Sequence, residues 1–325
     1  VNILVAVYSP FDAWRIPDAQ FAALTGRFPE HSFVRGDSDA ETLRCIGDAD
    51  AVFGARLTAE HIAAARRLRW VHSHAAGVGA MLTQAMVTSP IVMTNSRGVA
   101  SVPIAEHVIA LILVTLRNLP LAWQRQAERV WAQNEYFYKG APRTLSGAHV
   151  LIVGLGSIGA ATARLAAAFD AEVVGIRRHA GQPPPGVGVV LPPSALHEQL
   201  PQADVIVVAA PQTAQTAHMI GARELTLLKD DAVLVNVSRG KLVDEAALAR
   251  ELEKGRLRAA LDVVEHEPLD PASPLWHSPR VVITPHISGL FDGYWPAVID
   301  LFSENLHRFE TGAPLLNLVD KQAGY

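Results

Sequence analysis

Short apolar runs alternate with amphipathic stretches along most of this chain, and that alternation predicts its architecture. In the first hundred residues the runs at 3–7, 51–53, 70–71 and 91–93 read as strands. Residues 18–27, 58–67 and the segment after Gly79 carry helical spacing. From residue 150 onward the apolar runs return at 150–153, 173–176, 205–209, 232–237, 257–261 and 281–284. Strands separated by helices or loops in this way argue for parallel sheets covered by helices, and six in succession match a doubly wound dinucleotide-binding domain. The predicted class is α/β with two doubly wound parallel-sheet domains.

Three stretches break the alternation. Residues 103–116 are apolar on nearly every helical face apart from Glu106, His107 and Thr115, with Ser101 as a plausible N-cap and Pro103 tolerated in the first turn. A helix apolar all round is expected to be buried on all sides, between domains or between subunits. Residues 119–146 set Trp123, Trp131, Tyr136, Phe137 and Tyr138 among charges with no clear period. That pattern suits either a packed surface loop or an arm that contacts a partner. Residues 182–193 are rich in Pro and Gly and read as a solvated linker. A final helical stretch at 296–311 is predicted to return to the first domain.

Composition narrows the function classes. At 325 residues the chain exceeds one usual domain, and its formal net charge of -4 gives no footprint for nucleic acid. The single cysteine, Cys45, excludes an internal disulfide and reads as a small buried hydrophobe. No Cys/His cluster has zinc spacing, so no metal is expected and the cytoplasm is the default location. Residues 1–7 read as a first strand and not as a signal segment. The longest apolar run, 108–116, is far short of the roughly 20 residues of a membrane span, so no membrane partner is expected.

The candidate chemistry begins at His149-Val-Leu-Ile-Val-Gly-Leu-Gly-Ser-Ile-Gly159. Gly154 permits a sharp turn after the strand, Gly156 lets a pyrophosphate approach the backbone, and Gly159 lets the following helix pack closely. The anion would rest on N–H groups at the helix N-terminus, around Ser157 and Ile158. About 20 residues further on, NAD-binding versions of this fold place an acid for the ribose 2′-hydroxyl. Here Arg177-Arg178-His179 stands in its place, which predicts NADP(H) in preference to NAD(H), with NAD(H) still possible.

Three further residues each follow a strand: Arg239 after 232–235, Glu267 after 257–261, and His286 after 281–284. Each alone is as well explained as a structural or solvated turn residue. Together, at the carboxyl ends of parallel strands, they could converge beside a cofactor. In the first domain Gly77-Val-Gly79 also follows a strand, and reads equally as a loop with exposed N–H groups or as a plain strand-to-helix turn.

Gly154-Leu-Gly-Ser-Ile-Gly159, Asn236-Val-Ser-Arg-Gly240 with Asp244-Glu245, Leu261-Asp-Val with Glu267-Pro268, and Thr284-Pro-His286 together resemble the signatures of the D-2-hydroxyacid dehydrogenases. Ile104-Ala-Glu-His107 resembles that family's segment at the head of its interdomain helix. The resemblance runs over most of the chain in the family's order. It implies a Rossmann dinucleotide-binding domain at 99–288 inserted in a flavodoxin-like substrate-binding domain formed by 1–98 and 289–325.

It also implies roles: Arg239 binds the substrate's carboxylate and carbonyl, His286 is the acid/base, Glu267 pairs with it, and Asp262 holds the nicotinamide carboxamide. Ala76 and Gly77 match the loop whose N–H groups receive the substrate carboxylate, and Pro211, Val237 and Ser238 are expected beside the cofactor. Two departures stand out. Gly79 replaces an Asp common among relatives, and Ser288-Gly-Leu-Phe-Asp-Gly-Tyr-Trp295 replaces the small residues that often follow the histidine.

The expected function is reduction of a small 2-keto acid of the glyoxylate or hydroxypyruvate type, by a homodimer. The absence of a regulatory domain after Asp320 is expected to disfavour a phosphoglycerate dehydrogenase of serine biosynthesis. The alternative is a dinucleotide-sensing, protein-binding module of the same fold, acting as a corepressor. The lack of disordered tails or basic segments counts against that alternative.

Overall fold

Every strand-to-strand pairing in the two sheets is parallel, in a computed structural model that describes residues 1–54, 56–138, 142–179 and 181–325. The chain divides into two units, Val1–Ala100 with Leu290–Tyr325, and Ser101–Gly289.

The first unit contains β1 (Asn2–Ala6), β2 (Ser32–Arg35), β3 (Ala51–Gly54), β4 (Trp70–Ser73) and β5 (Val92–Asn95), in the order β2-β1-β3-β4-β5. That is the flavodoxin-like order. β2 was not predicted: it is an edge strand paired only with β1, and its residues alternate between exposed and half-buried. The helix Asp18–Arg27 matches its prediction, whereas the one expected at 58–67 runs only over Ala59–Ala64, capped by Thr58. Cys45, expected to be buried, is only half-buried.

β4 extends past the apolar run because its polar end is fully bonded. Trp70 Nε1 donates to Thr94 Oγ1 at 2.9 Å, His72 Nδ1 lies 2.7 Å from the same oxygen, and His72 Nε2 lies 3.2 Å from Ser96 Oγ. Ser96 Oγ in turn donates to Ser73 O. A neutral His72 completes this chain with every hydrogen used, and burial pushes its pKa down to about 3. The helix Tyr294–Thr311 closes the core with Val298, Ile299, Phe302 and Leu306. Phe302 stacks on Phe53 and Trp70 with ring centroids 4.5 and 5.2 Å apart.

The second unit contains β6 (His149–Val153), β7 (Glu172–Ile176), β8 (Val189–Leu191), β9 (Val205–Val208), β10 (Val233–Asn236), β11 (Arg258–Leu261) and β12 (Val281–Ile283). Their order is β12-β11-β10-β9-β6-β7-β8, the Rossmann order extended by one strand, with its switch point between β6 and β9. β8 lies inside the stretch read as a solvated linker, so that expectation is corrected: 189–191 pair with β7 as an edge strand. Alternate residues of β6, β9 and β10 feed apolar cores on the two faces of the sheet.

The helix Ser101–Leu116 packs on one face of this sheet through Val108, Ile109, Leu111 and Ile112. One expectation for it fails. Ser101 is its first helical residue, and its buried hydroxyl makes no capping bond among the described residues. Within the single chain Val102, Glu106 and Ala110, four residues apart, form an exposed stripe, the face left for the subunit contact expected of this helix. The aromatic stretch that follows is not a loop either. It folds into the helices Leu119–Ala127 and Gln133–Tyr138, tied by Arg125 to Glu135 at 2.7 and 2.9 Å, while 139–141 lie outside the described residues. Among the described residues no single helix is long and apolar enough to cross a membrane.

Candidate active site

The turn after β6 stands at the sheet's switch point, where doubly wound folds place their ligands. Gly154 has φ 104°, and a Cβ there would lie 2.3 Å from the backbone nitrogen of Ala210, so both conformation and space demand glycine. A Cβ on Gly159 would lie 2.3 Å from Gly154 O, where the helix Ser157–Ala167 passes closest to the turn. Gly156 differs from both. Its φ is -90°, and a Cβ there would meet nothing within 4 Å. Nothing in the protein requires glycine at this N-cap, and the space a side chain would fill lies before the first N–H groups of the helix, at Ser157, Ile158 and Gly159. A pyrophosphate fits that cradle.

The N–H groups of Gly154 and Leu155 both donate to Ile176 O, which sets the glycine turn beside the end of β7, where Arg177 and Arg178 begin. Arg177 donates through Nη2 to Gln182 O at 3.3 Å, and its buried Nε has no partner among the described residues. Arg178 reaches Gln215 Oε1 at 3.3 Å. Ser238 donates to Ala210 O, bringing the end of β10 beside the residue that precedes Pro211. Val237 is packed in the core, so only its backbone can face a ligand.

Arg239, Glu267 and His286 lie in loops beyond the carboxyl ends of β10, β11 and β12. His286 Nδ1 lies 2.7 Å from Glu267 Oε2. Burial opposes ionisation of Glu267, but the hydrogen bond and charge of His286 and the nearby Arg239 outweigh it, holding the carboxyl below its usual range. An ionised Glu267 accepts the Nδ1 proton and leaves Nε2 as the atom His286 can present. Burial pushes the Arg239 guanidinium down while Glu267 pulls it up, and an arginine remains charged throughout the physiological range. Its Nη1 donates to Ser238 O at 2.6 Å, and among the described residues no carboxylate comes within ion-pair distance of it.

Asp262 holds the segment that carries His286. Its side chain is 0% exposed, and it accepts from Thr284 Oγ1 at 2.6 Å, Ile287 N at 2.9 Å and Ser288 N at 3.0 Å. Asp262 O also accepts from His286 N at 2.8 Å, so one residue restrains the positive φ of 53° at His286. The carboxylate is thus enclosed by its own chain, and His107 Nε2 also lies 3.7 Å from its Oδ1. His107, singled out in sequence only as part of a helix-head motif, joins this network through Nε2, 3.0 Å from Thr284 Oγ1.

Ala76 and Gly77 belong to the other unit, in the exposed loop after β4. Asn95 Nδ2 donates to Ala76 O at 2.7 Å, and among the described residues neither N–H of Ala76 or Gly77 has an acceptor in the chain.

Residues 109–288 match the family model of the D-isomer specific 2-hydroxyacid dehydrogenase NAD binding domain. The chain is 32% identical over 275 residues to a glyoxylate reductase of Korarchaeum cryptofilum, covering 82% of this chain and 80% of that protein. Its fold matches a D-isomer specific 2-hydroxyacid dehydrogenase from Xanthobacter autotrophicus Py2, solved with NADPH and MES, at TM-score 0.85 and 28% identity, covering 100% of this chain and 99% of the other. It matches equally, at TM-score 0.85 and 27% identity, an NADPH-dependent glyoxylate/hydroxypyruvate reductase from Sinorhizobium meliloti in complex with NADP and sulfate, again over 100% and 99% of the two chains.

Proposed function

Because this chain belongs to the D-isomer specific 2-hydroxyacid dehydrogenase family, we propose that it reduces a small 2-keto acid of the glyoxylate or hydroxypyruvate type to the D-2-hydroxy acid with NADPH. The observation that carries the proposal is the His286–Glu267 pair at 2.7 Å, beside a half-buried Arg239 that among the described residues has no carboxylate partner. The bound nicotinamide dinucleotide supplies the hydride. As it reaches the carbonyl carbon, negative charge builds on the carbonyl oxygen, and the site must offer a fixed cation and a proton there. Arg239 supplies the cation and engages the carboxylate of the same substrate. His286 supplies the proton from Nε2, while Glu267 fixes the ring through Nδ1. Asp262 holds the segment that carries His286 through Ile287 N and Ser288 N.

The preference for NADPH rests on Arg177 and Arg178 at the end of β7, where no carboxylate stands to repel a 2′-phosphate. The two solved relatives described above hold NADPH and NADP. A homodimer is part of the same proposal, supported by an arm that exposes Trp131, Phe137 and Tyr138 at 91%, 79% and 81%.

Turnover of a panel of 2-keto acids, each with NADPH and with NADH, tests the reading. Replacing His286 with Ala should lower turnover by roughly 100-fold to 10,000-fold, as expected for loss of a general acid/base, with cofactor affinity nearly intact. Keto acid reduction by His286→Ala at the parental rate refutes the mechanism.

A further inference from the structure

Glu267 and Arg239 sit on separate loops, each with its own internal bonds: Asn236 Nδ2 donates to Arg239 O in one, and Val264 N to Glu267 in the other. What joins them is a set of contacts one residue away from each. Gly240, next to Arg239, has its Cα against the backbone of the Glu267 loop: a Cβ there would lie 1.9 Å from Val264 O and 2.3 Å from Glu265 N. Glu265 and Glu245 then grip each other's backbones. Glu265 N donates to Glu245 Oε2 at 3.0 Å, and Glu245 N donates to Glu265 Oε1 at 3.3 Å. Glu245 opens the helix Glu245–Glu253, so Glu265 satisfies one of the N–H groups that helix leaves free.

A third segment meets the same carboxylate. His218 Nε2 lies 2.8 Å from Glu265 Oε1. The backbone around His218 is in turn fastened to the stretch after Arg239, with His218 N donating to Lys241 O at 2.7 Å, Ile220 N to Leu242 O at 3.1 Å, and Asp244 N to Ile220 O at 3.0 Å. Glu265 therefore stands where three loops cross.

We propose that Glu265 is a positioning residue for the reaction proposed above: by bridging His218 and the start of the helix Glu245–Glu253, it fixes the loop of Glu267 against the turn of Arg239. The inference rests on that functional reading. The orientation of His286 is inherited from Glu267, which also accepts from Val264 N at 3.4 Å within the clamped loop. Truncating Glu265 loosens this loop at its middle while leaving Arg239, Glu267, His286 and the glycine turn chemically intact. Displacing a reacting group by about 1 Å costs on the order of 100-fold in rate, so a partial release should cost about 10-fold to 100-fold.

The experiment compares Glu265→Ala and Glu265→Gln with the parent holoenzyme. In Glu265→Ala, kcat per folded molecule should fall about 10-fold to 100-fold, while the Kd for NADPH, measured by its fluorescence, stays within about twofold. Glu265→Gln keeps a carbonyl acceptor for Glu245 N–H and should recover to within roughly threefold of the parent, the worth of one ordinary hydrogen bond. The imidazole 15N resonances of His286, which report its bond to Glu267 with or without turnover, should move in the alanine variant and return in the glutamine variant.

Unchanged 15N resonances in Glu265→Ala overturn the proposal, as does a loss of activity explained wholly by a lower folded fraction, or a weakened cofactor affinity with kcat intact. If the parent itself reduces no 2-keto acid, the functional reading falls, and the 15N comparison still decides whether Glu265 holds the pair.

Discussion

Replacing each fingerprint glycine by alanine should produce two kinds of failure, and the structure says which glycine gives which. At Gly159 the new methyl would lie 2.3 Å from Gly154 O, so the helix Ser157–Ala167 must shift off its strand, an overpacking cost of about 1–3 kcal/mol. At Gly154 the same cost is joined by a φ of 104°, which adds on the order of 1–3 kcal/mol. Gly156→Ala meets nothing within 4 Å and keeps an ordinary φ of -90°. A slightly poorer N-cap is offset by about 0.4–1 kcal/mol of unfolded-chain entropy, so its stability should match the parent. Its methyl instead fills the space in front of the helix's free N–H groups. Losing one hydrogen bond to a charged pyrophosphate costs roughly 1.5–3 kcal/mol, which is about 10-fold to 150-fold in Kd. Thermal melting of the three apo variants and titration of each with NADPH separate the two failures. Gly156→Ala binding NADPH as the parent does, or melting as low as Gly159→Ala, refutes the assignment of that space to the pyrophosphate.

The remaining expectations concern charge, acid and assembly. Arg177→Asp should weaken NADPH far more than NADH, because it removes an attractive guanidinium and adds a repulsive carboxylate beside the 2′-phosphate; kcat/KM with the two cofactors measures it, and an unchanged ratio shows that Arg177 does not read that phosphate. His72, held neutral by burial with a pKa of about 3, accepts a proton only after unfolding, so its contribution is complete above about pH 6.5 and is lost at up to ~1.4 kcal/mol per pH unit as pH falls toward 3. His74, pushed by burial to about 4, acts in the same direction. Between pH 6.5 and 5, above the range where the carboxylates titrate, the urea midpoint should therefore fall in the parent and fall less in His72→Asn; equal slopes refute the assignment. Sedimentation at low micromolar concentration should give a dimer that becomes a monomer when Trp131, Phe137 and Tyr138 are replaced by Ser, and a parent that sediments as an active monomer refutes the interface.

The parts of the fold that were legible in sequence are those whose physics is local. The fingerprint turn could be read because its glycines are spaced between an apolar strand and a helix that are contiguous in sequence, and β9 and β10 because buried parallel strands are unbroken apolar runs. β2 and β8 escaped for one reason: edge strands are paired on one side and need little apolar surface, so Ser32–Arg35 looks polar and Val189–Leu191 is hidden behind three prolines. The end of β4 was missed because polarity was taken for exposure, whereas His72 and Ser73 are buried with their hydrogen bonds made across the sheet. At the candidate site, the meeting of His286 and Glu267 could be anticipated because each follows a neighbouring strand. Glu265 and His218 could not: they act through backbone groups brought close only by folding, and nothing in the spacing of 218, 245 and 265 announces it.

The connection between the two units bears on how the chain comes off the ribosome. Ser101–Gly289 is one uninterrupted segment, while the other unit is assembled from residues on both sides of it. The cofactor-binding unit can therefore collapse as soon as its last strand has emerged, because all of its sheet has been made by then. The first unit has the opposite schedule. Its five strands are synthesised before that segment, but the face built around Phe53 and Trp70 stays open until Phe302, beyond it, arrives to stack on both. During nearly two hundred residues of translation that sheet is thus an apolar surface awaiting its cover, the condition in which a nascent chain is most prone to aggregate.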